Sequence, residues 1–393
     1  MKRTLAFGGL IATTGLLAAG LAAPAQASDT VSSDTLASTN FAAQQVATFW
    51  FGQAAANLQL ATPYNVETTV STKHVSTGGP APDTKPGVVP AIGDEKKTTS
   101  TSKNVNLPKT TGKVFFIGAD HKPHWCSATS VQSTYHNLVA TAGHCVYDTA
   151  SNKATLDKWV FVPGYYQGKT PWGIYVGKTA FTHYDYDVYE DGDRDYAFVT
   201  VYNGVKLDPT KSKTVVRYND ATAEEKAAAD TGKAGYLTWT KDGVKYIGYV
   251  ALADAGRLGD AVGGQGLAYN QKVGGSVFVF GYPSGAHPDG TRPFTGNTLK
   301  WSYGKTFAAT APSIKGEEML GVKSSFTGEG SVGSAWLLSY KSSRRLGYLN
   351  GVTAAVSDTD GNKRIDTSIS PYFDGETYGV YNAAKATWSG KIA

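Results

Sequence analysis

From Lys113 onward the chain is a succession of short apolar runs. KVFFIG, NLVATA, KWVFVPGYY, DYAFVTVY, SVFVFGYP, SAWLLSY and YLNGVTAAV are bounded by Gly, Pro, Asp and Asn. Runs of this length, rich in Val, Phe and Tyr and closed by turn residues, read as β-strands. No strand–helix alternation separates them, which argues against a parallel α/β sheet and for barrels or a sandwich. The composition agrees, with 45 Gly and 23 Tyr against 2 Met and 2 Cys. Two helical stretches interrupt the pattern. ATAEEKAAAD, residues 221–230, sits inside a long insertion at about 204–260, and residues 378–388 close the chain. No solenoid or propeller period is present.

The first residues address the compartment. Lys2 and Arg3 precede an apolar run from Leu5 to Ala23, and Ala25-Gln26-Ala27 follows. Basic start, apolar middle and small residues at the exit are the order of a secretory signal peptide, assigned to residues 1–27. The glycines in the run and the lack of a charged flank separate it from a membrane anchor, and no later stretch is long and apolar enough to span. The expectation is a secreted, extracellular chain with no membrane partner once the signal is cleaved. Residues 28–112 differ in character from the strand-rich remainder. Phe41 to Leu60 has apolar residues at helical spacing, and residues 68–109 are dominated by Thr, Ser, Pro, Gly and Lys. A helix followed by a linker is read as a pro-region-like segment or a solvated spacer.

Charge excludes one class of partner. The net +5 includes Lys2 and Arg3, and the remaining basic residues are scattered rather than clustered, so nucleic acid is not expected. The two cysteines, Cys126 and Cys145, are most simply one disulfide in an oxidising compartment. Closing a loop of that length contributes roughly 3 kcal/mol in the chain-entropy view.

Two motifs carry chemistry. Ala140-Thr141-Ala142-Gly143-His144-Cys145 places a histidine on a tight turn at a strand end, where a disulfide from the next residue fixes its backbone. A general base needs such fixing, because it must sit within hydrogen-bond reach of its nucleophile. Asp195 heads the strand DYAFV, where a buried carboxylate can accept the histidine's other N–H and hold its tautomer. With FGYP and a Gly/Ser-rich turn before Trp336, these motifs resemble the secreted trypsin-like serine peptidases of actinobacteria. WVFVPGYYQGKTPWG, GGQGLAYN and SPYFDGETYGVYNAA look like segments of that family, and FWFGQAAANL is similar to a patch of its pro-regions. The resemblance covers most of residues 113–388 apart from the insertion. It implies an all-β fold of two six-stranded antiparallel barrels of the chymotrypsin-like type with a C-terminal helix. It also implies a peptidase domain at residues 113–393, protein or peptide partners, His144 as base and Asp195 as orienting acid.

The nucleophile loop departs from the family pattern Gly-x-Ser-Gly-Gly-Pro. The chain reads Gly328-Glu329-Gly330-Ser331-Val332-Gly333-Ser334-Ala335-Trp336. Aligned from the downstream side, Val332 fills the nucleophile slot. Aligned from Ser325-Phe326 with one residue inserted, Ser331 fills it and Glu329 replaces an oxyanion-hole glycine. The family's second disulfide is absent, and Lys323-Ser324-Ser325-Phe326 gives no acid for a trypsin-like pocket. Three functions stay open: a catalytically impaired peptidase homologue, an active endopeptidase using Ser331, and an exported binding or adhesive protein using the insertion as its contact surface. No cofactor and no metal are expected. Asp358-Thr359-Asp360-Gly361-Asn362 with Asp366 resembles the start of a calcium loop, but Lys363 and Ile369 stand where such a loop needs Gly and Glu, so a polar turn is expected. His121 and His124, with Pro123 between them and no third ligand, make a poor metal pair.

Overall fold

The computed structural model describes residues 30–64, 69–70, 80–93, 105–148 and 157–393, and the expected signal peptide lies outside these. Six antiparallel strands form a closed barrel: Thr111–Ile117, Pro123–Val131, Leu138–Thr141, Asp157–Pro163, Tyr175–His183 and Ala197–Val201. Pairing of Asp157–Pro163 with Tyr175–His183 closes it. The period-2 alternation of a strand explains what the barrel requires around it. Val114, Phe116, Trp159 and Phe161 point into the interior, together with Cys126, Cys145 and Val199. Phe115, Val160 and Val162 point outward and are apolar as well, so the outer wall needs a cover.

The N-terminal segment supplies that cover. Val31–Thr35 adds a strand to the edge of Tyr175–His183, and the helix Asn40–Leu60 lays Ala43, Ala47, Trp50 and Phe51 against the outward apolar side chains. Trp50 is fully buried, tilts against the Phe115 ring, and donates its indole N–H to the Lys158 carbonyl at 2.6 Å. The helix is interrupted at Gly52–Ala55, where Gln53, Ala54 and Ala55 take left-handed φ values. Gly52 approaches Leu237 of the insertion so closely that a Cβ would lie 2.5 Å from its Cδ1. The segment expected to stand ahead of the domain is thus built into its wall.

A second, ten-stranded sheet curls into a barrel-like region around Ser276–Gly281, Lys300–Ala311, Gly316–Lys323, Ala335–Lys341, Leu346–Val352 and Thr367–Pro371. Gly87–Val89, inside the expected linker, joins this sheet antiparallel to Gly266–Tyr269. The backbone groups of that stretch therefore find strand partners despite a composition that reads as loop. The insertion forms a small sheet of Lys213–Arg217, Val244–Tyr249 and Tyr236–Lys241, with the helix Ala223–Asp230 capped by Thr222 and Glu225. The C-terminal helix runs Gly375–Lys385, three residues earlier than its apolar spacing predicts, because Asp374 and Thr377 form a reciprocal cap. No described helix is long and apolar enough to cross a membrane.

Truncating Trp50 to Ala leaves a cavity on the barrel wall and strands the Lys158 carbonyl. A stability loss of about 3–5 kcal/mol is expected for such a change. A denaturant midpoint within error of the parent would show that the helix does not brace the barrel.

Candidate functional site

Strand register brings the two sequence motifs together. Leu138–Thr141 and Ala197–Val201 pair antiparallel with Thr141 opposite Ala197. The turn Gly143–Cys145, just after the first, therefore meets Asp195, just before the second. Asp195 grips His144 at two points: Oδ1 accepts the backbone N–H at 3.0 Å, and Oδ2 lies 2.7 Å from Nδ1. Both residues are 5% exposed. With the carboxylate accepting from Nδ1–H, Nε2 is left as the basic nitrogen, and this atom is buried without a hydrogen-bond partner. Cys145 bridges to Cys126 with a Cα separation of 6.3 Å, and its carbonyl accepts the Trp159 indole N–H at 3.0 Å. Tyr186, which no sequence motif singles out, is buried beside this pair. Burial and the neighbouring Asp195 carboxylate push its hydroxyl far above the usual tyrosine range.

The Asp195 loop is clamped to the second sheet. Asp193 accepts the backbone N–H groups of Glu317 and Glu318 at 2.7–2.9 Å. Arg194 pairs with Glu376 at 2.5 Å and with Asp374 at 3.8 Å, at the start of the C-terminal helix. Gly192 lies against the Ile314 carbonyl, where a Cβ would come within 2.2 Å. A cluster of acids in the sequence hides these separate duties, which only the fold distinguishes.

The Gly/Ser-rich loop before Trp336 starts with the single helical turn Gly328–Ser331. Ser331 is fully buried, and its hydroxyl donates to its own turn, at the Gly328 carbonyl, 3.3 Å away. The Val332 carbonyl accepts the Ser127 N–H at 2.9 Å. Its side chain, 4% exposed, belongs to the apolar cluster that holds Cys126, Ala142, Cys145 and Tyr186. Ser127 also donates its hydroxyl to the Gly330 carbonyl at 2.8 Å and accepts the Tyr282 N–H at 2.9 Å. Gly333 has φ +80° and sits where a Cβ would be 2.0 Å from the Ser127 carbonyl, so no other residue fits there. Ser334, beyond it, keeps a buried hydroxyl with no partner.

The other sequence candidates lie apart from this centre or serve as turns. Asp358 accepts the backbone N–H groups of Gly361 and Lys363, and Asp366 pairs with Lys323 at 2.7 Å. His124 contacts Asp120 and Thr62.

No protein-family model and no curated protein matches the chain. Among solved structures, the protease Anisep from Arthrobacter nicotinovorans aligns over 72% of this chain and 98% of its own, at 23% identity and a TM-score of 0.50. The thermostable serine protease AL20 from an extremophilic microorganism covers 70% of this chain and 97% of its own, at 23% identity and 0.49. A Glu endopeptidase covers 73% and 96%, at 16% and 0.44. The chain has the chymotrypsin-like fold. The His144 turn and the Asp195 loop come from the closed barrel, while Gly328–Ser331 lies between two strands of the second, barrel-like sheet region.

Asp193 gives this clamp a pH dependence. Burial outweighs the N–H donors of Glu317 and Glu318 and raises its carboxyl from 3.8 to about 6. A folded-state value above the unfolded one means that the folded protein holds the proton more tightly. The stability from this group is then complete below 3.8 and is lost as pH rises through about 6. Thermal melts should show the parent losing ground to Asp193→Asn across that window. Parallel curves for the two proteins would contradict the assignment.

Proposed function

We propose that this chain is a secreted homologue of the trypsin-like serine peptidases, with residues 1–27 as its signal peptide, whose cleft binds protein or peptide and whose hydrolytic step is strongly impaired. The observation that carries this reading is the placement of Val332. Its carbonyl is tied to Ser127, and its side chain packs in the cluster around the Cys126–Cys145 bridge, beside which His144 sits. That favours the alignment with Val332 in the nucleophile slot. Valine offers no lone pair to attack a carbonyl, so His144 has no hydroxyl at that slot to activate. Ser331, the alternative nucleophile, is buried and directs its hydroxyl to Gly328. The His144–Asp195 pair keeps the form of a base and its orienting acid. The defect is therefore confined to one side chain.

A fluorophosphonate probe on the purified protein tests this directly. The parent should remain unlabelled, and Val332→Ser should gain labelling that depends on His144. Labelling of the parent that disappears in Ser331→Ala would establish an active endopeptidase instead.

A further inference from the structure

The strand Pro123–Val131 pairs with Thr111–Ile117 from Pro123 to Thr129 but with Leu138–Thr141 only from Thr129 to Val131. Its other edge is therefore open at His124 and Trp125, close to His144. An open strand edge presents unpaired backbone groups and is a template for an added strand. In this chain the edge is filled. Thr62 and Pro63 lie parallel to it, opposite His124 and Trp125. The Tyr64 N–H donates to the Trp125 carbonyl at 2.8 Å, and the Thr62 hydroxyl meets His124 Nδ1 at 3.0 Å.

The side chain completes the contact. The Tyr64 ring stacks over the His144 imidazole, with 6.4 Å between centroids, and stands edge-on to Phe116 at 5.0 Å and to His124 at 5.5 Å. It packs on the same apolar cluster that includes Val332, Cys126 and Cys145. Burial, followed by the nearby Asp148 and Asp120, pushes its hydroxyl up to about 12, so the ring stays neutral in that position. The segment is delivered there by the helix Asn40–Leu60, whose end is anchored by buried Leu58 and by the Ala61 N–H on the Asn57 carbonyl. Nε2 of His144 is buried, with no partner of its own.

We propose that the chain's own Thr62–Tyr64, paired on the strand edge at His124 and Trp125, is a resident cover of the cleft, with Tyr64 lying over the His144 imidazole. The inference rests on the cleft being a peptide-binding site, but it does not depend on which residue, if any, is the nucleophile. Any peptide that engages His144 must first displace Tyr64. The Tyr64 ring is one side chain of this contact, so its substitution uncovers the imidazole without removing the helix that braces the barrel.

Acylation of individual histidines by diethylpyrocarbonate, followed by peptide-resolved mass spectrometry on the full chain, reads the cover. In the parent, His144 should react slowly. In Tyr64→Ala its rate should rise severalfold, while His136, held at the surface by Asp260, should be unchanged. Tyr64→Phe keeps the ring and should keep the protection, which separates a cover from a general loosening of the fold. An unchanged His144 rate in Tyr64→Ala, at an unchanged melting temperature, overturns the proposal. A parallel rise at His136 also overturns it, by showing that the variant merely loosens. Because histidine acylation needs no nucleophile, this outcome is independent of the fluorophosphonate result: either can fail while the other stands.

Discussion

Ser127 joins the two halves of the molecule. Its backbone N–H holds the Val332 carbonyl, its hydroxyl holds the Gly330 carbonyl and receives the Tyr282 N–H, and its own carbonyl accepts the Thr141 hydroxyl at 2.8 Å. One fully buried residue thus ties the strand of Cys126 to the strand that leads to His144 and to the loop from the second sheet. Each of these bonds involves the buried Ser127, where an unpaired partner costs about 1–3 kcal/mol. The geometry between His144 and residues 330–334 is therefore over-determined. Gly330 and Gly333 take left-handed φ values within the same knot, and side chains there would also strike Trp125 and Ser127.

A second tie works from the other side of the cleft. Asp193, Arg194 and Asp195 are consecutive, and each points to a different element: the backbone of Glu317 and Glu318, the start of the C-terminal helix, and the His144 turn. A shift of either barrel would pull on the carboxylate that orients the imidazole. The N-terminal helix adds a third brace, since Trp50 fixes the wall formed by Phe115 and Val160 on one side and Tyr64 reaches the imidazole on the other.

How much of this was legible in the sequence depends on the range of the forces. The apolar runs gave the first barrel and the core of the second sheet, because inward and outward apolar positions both leave a mark on composition. The Cys126–Cys145 bridge was legible because the chain has only two cysteines, and the His144–Asp195 contact because each residue sits in a compact local motif. The strand Val31–Thr35, sequence VSSDT, and the strand Gly87–Val89 were not, since edge pairing is made by backbone groups that leave no trace in side chains. Two alignments of the nucleophile loop were open for the same reason. On the proposed reading, the bond that distinguishes them runs from Ser127 to Val332, residues far apart in the chain.

The fold asks little of the side chain at 332. It asks for a carbonyl to meet Ser127, for glycine at 330 and 333, and for something small and apolar beside the Cys126–Cys145 bridge. Valine meets all three and adds buried apolar surface. The His144–Asp195 pair stands in a different position. Asp195 also accepts the backbone N–H of His144, and in a buried turn that bond holds the chain in place whether or not the ring ever moves a proton. Folding alone therefore gives Asp195 a duty beside His144. On the proposed reading, a peptidase scaffold that loses its nucleophile would be expected to keep its base and acid, because only the nucleophile was free of structural duty.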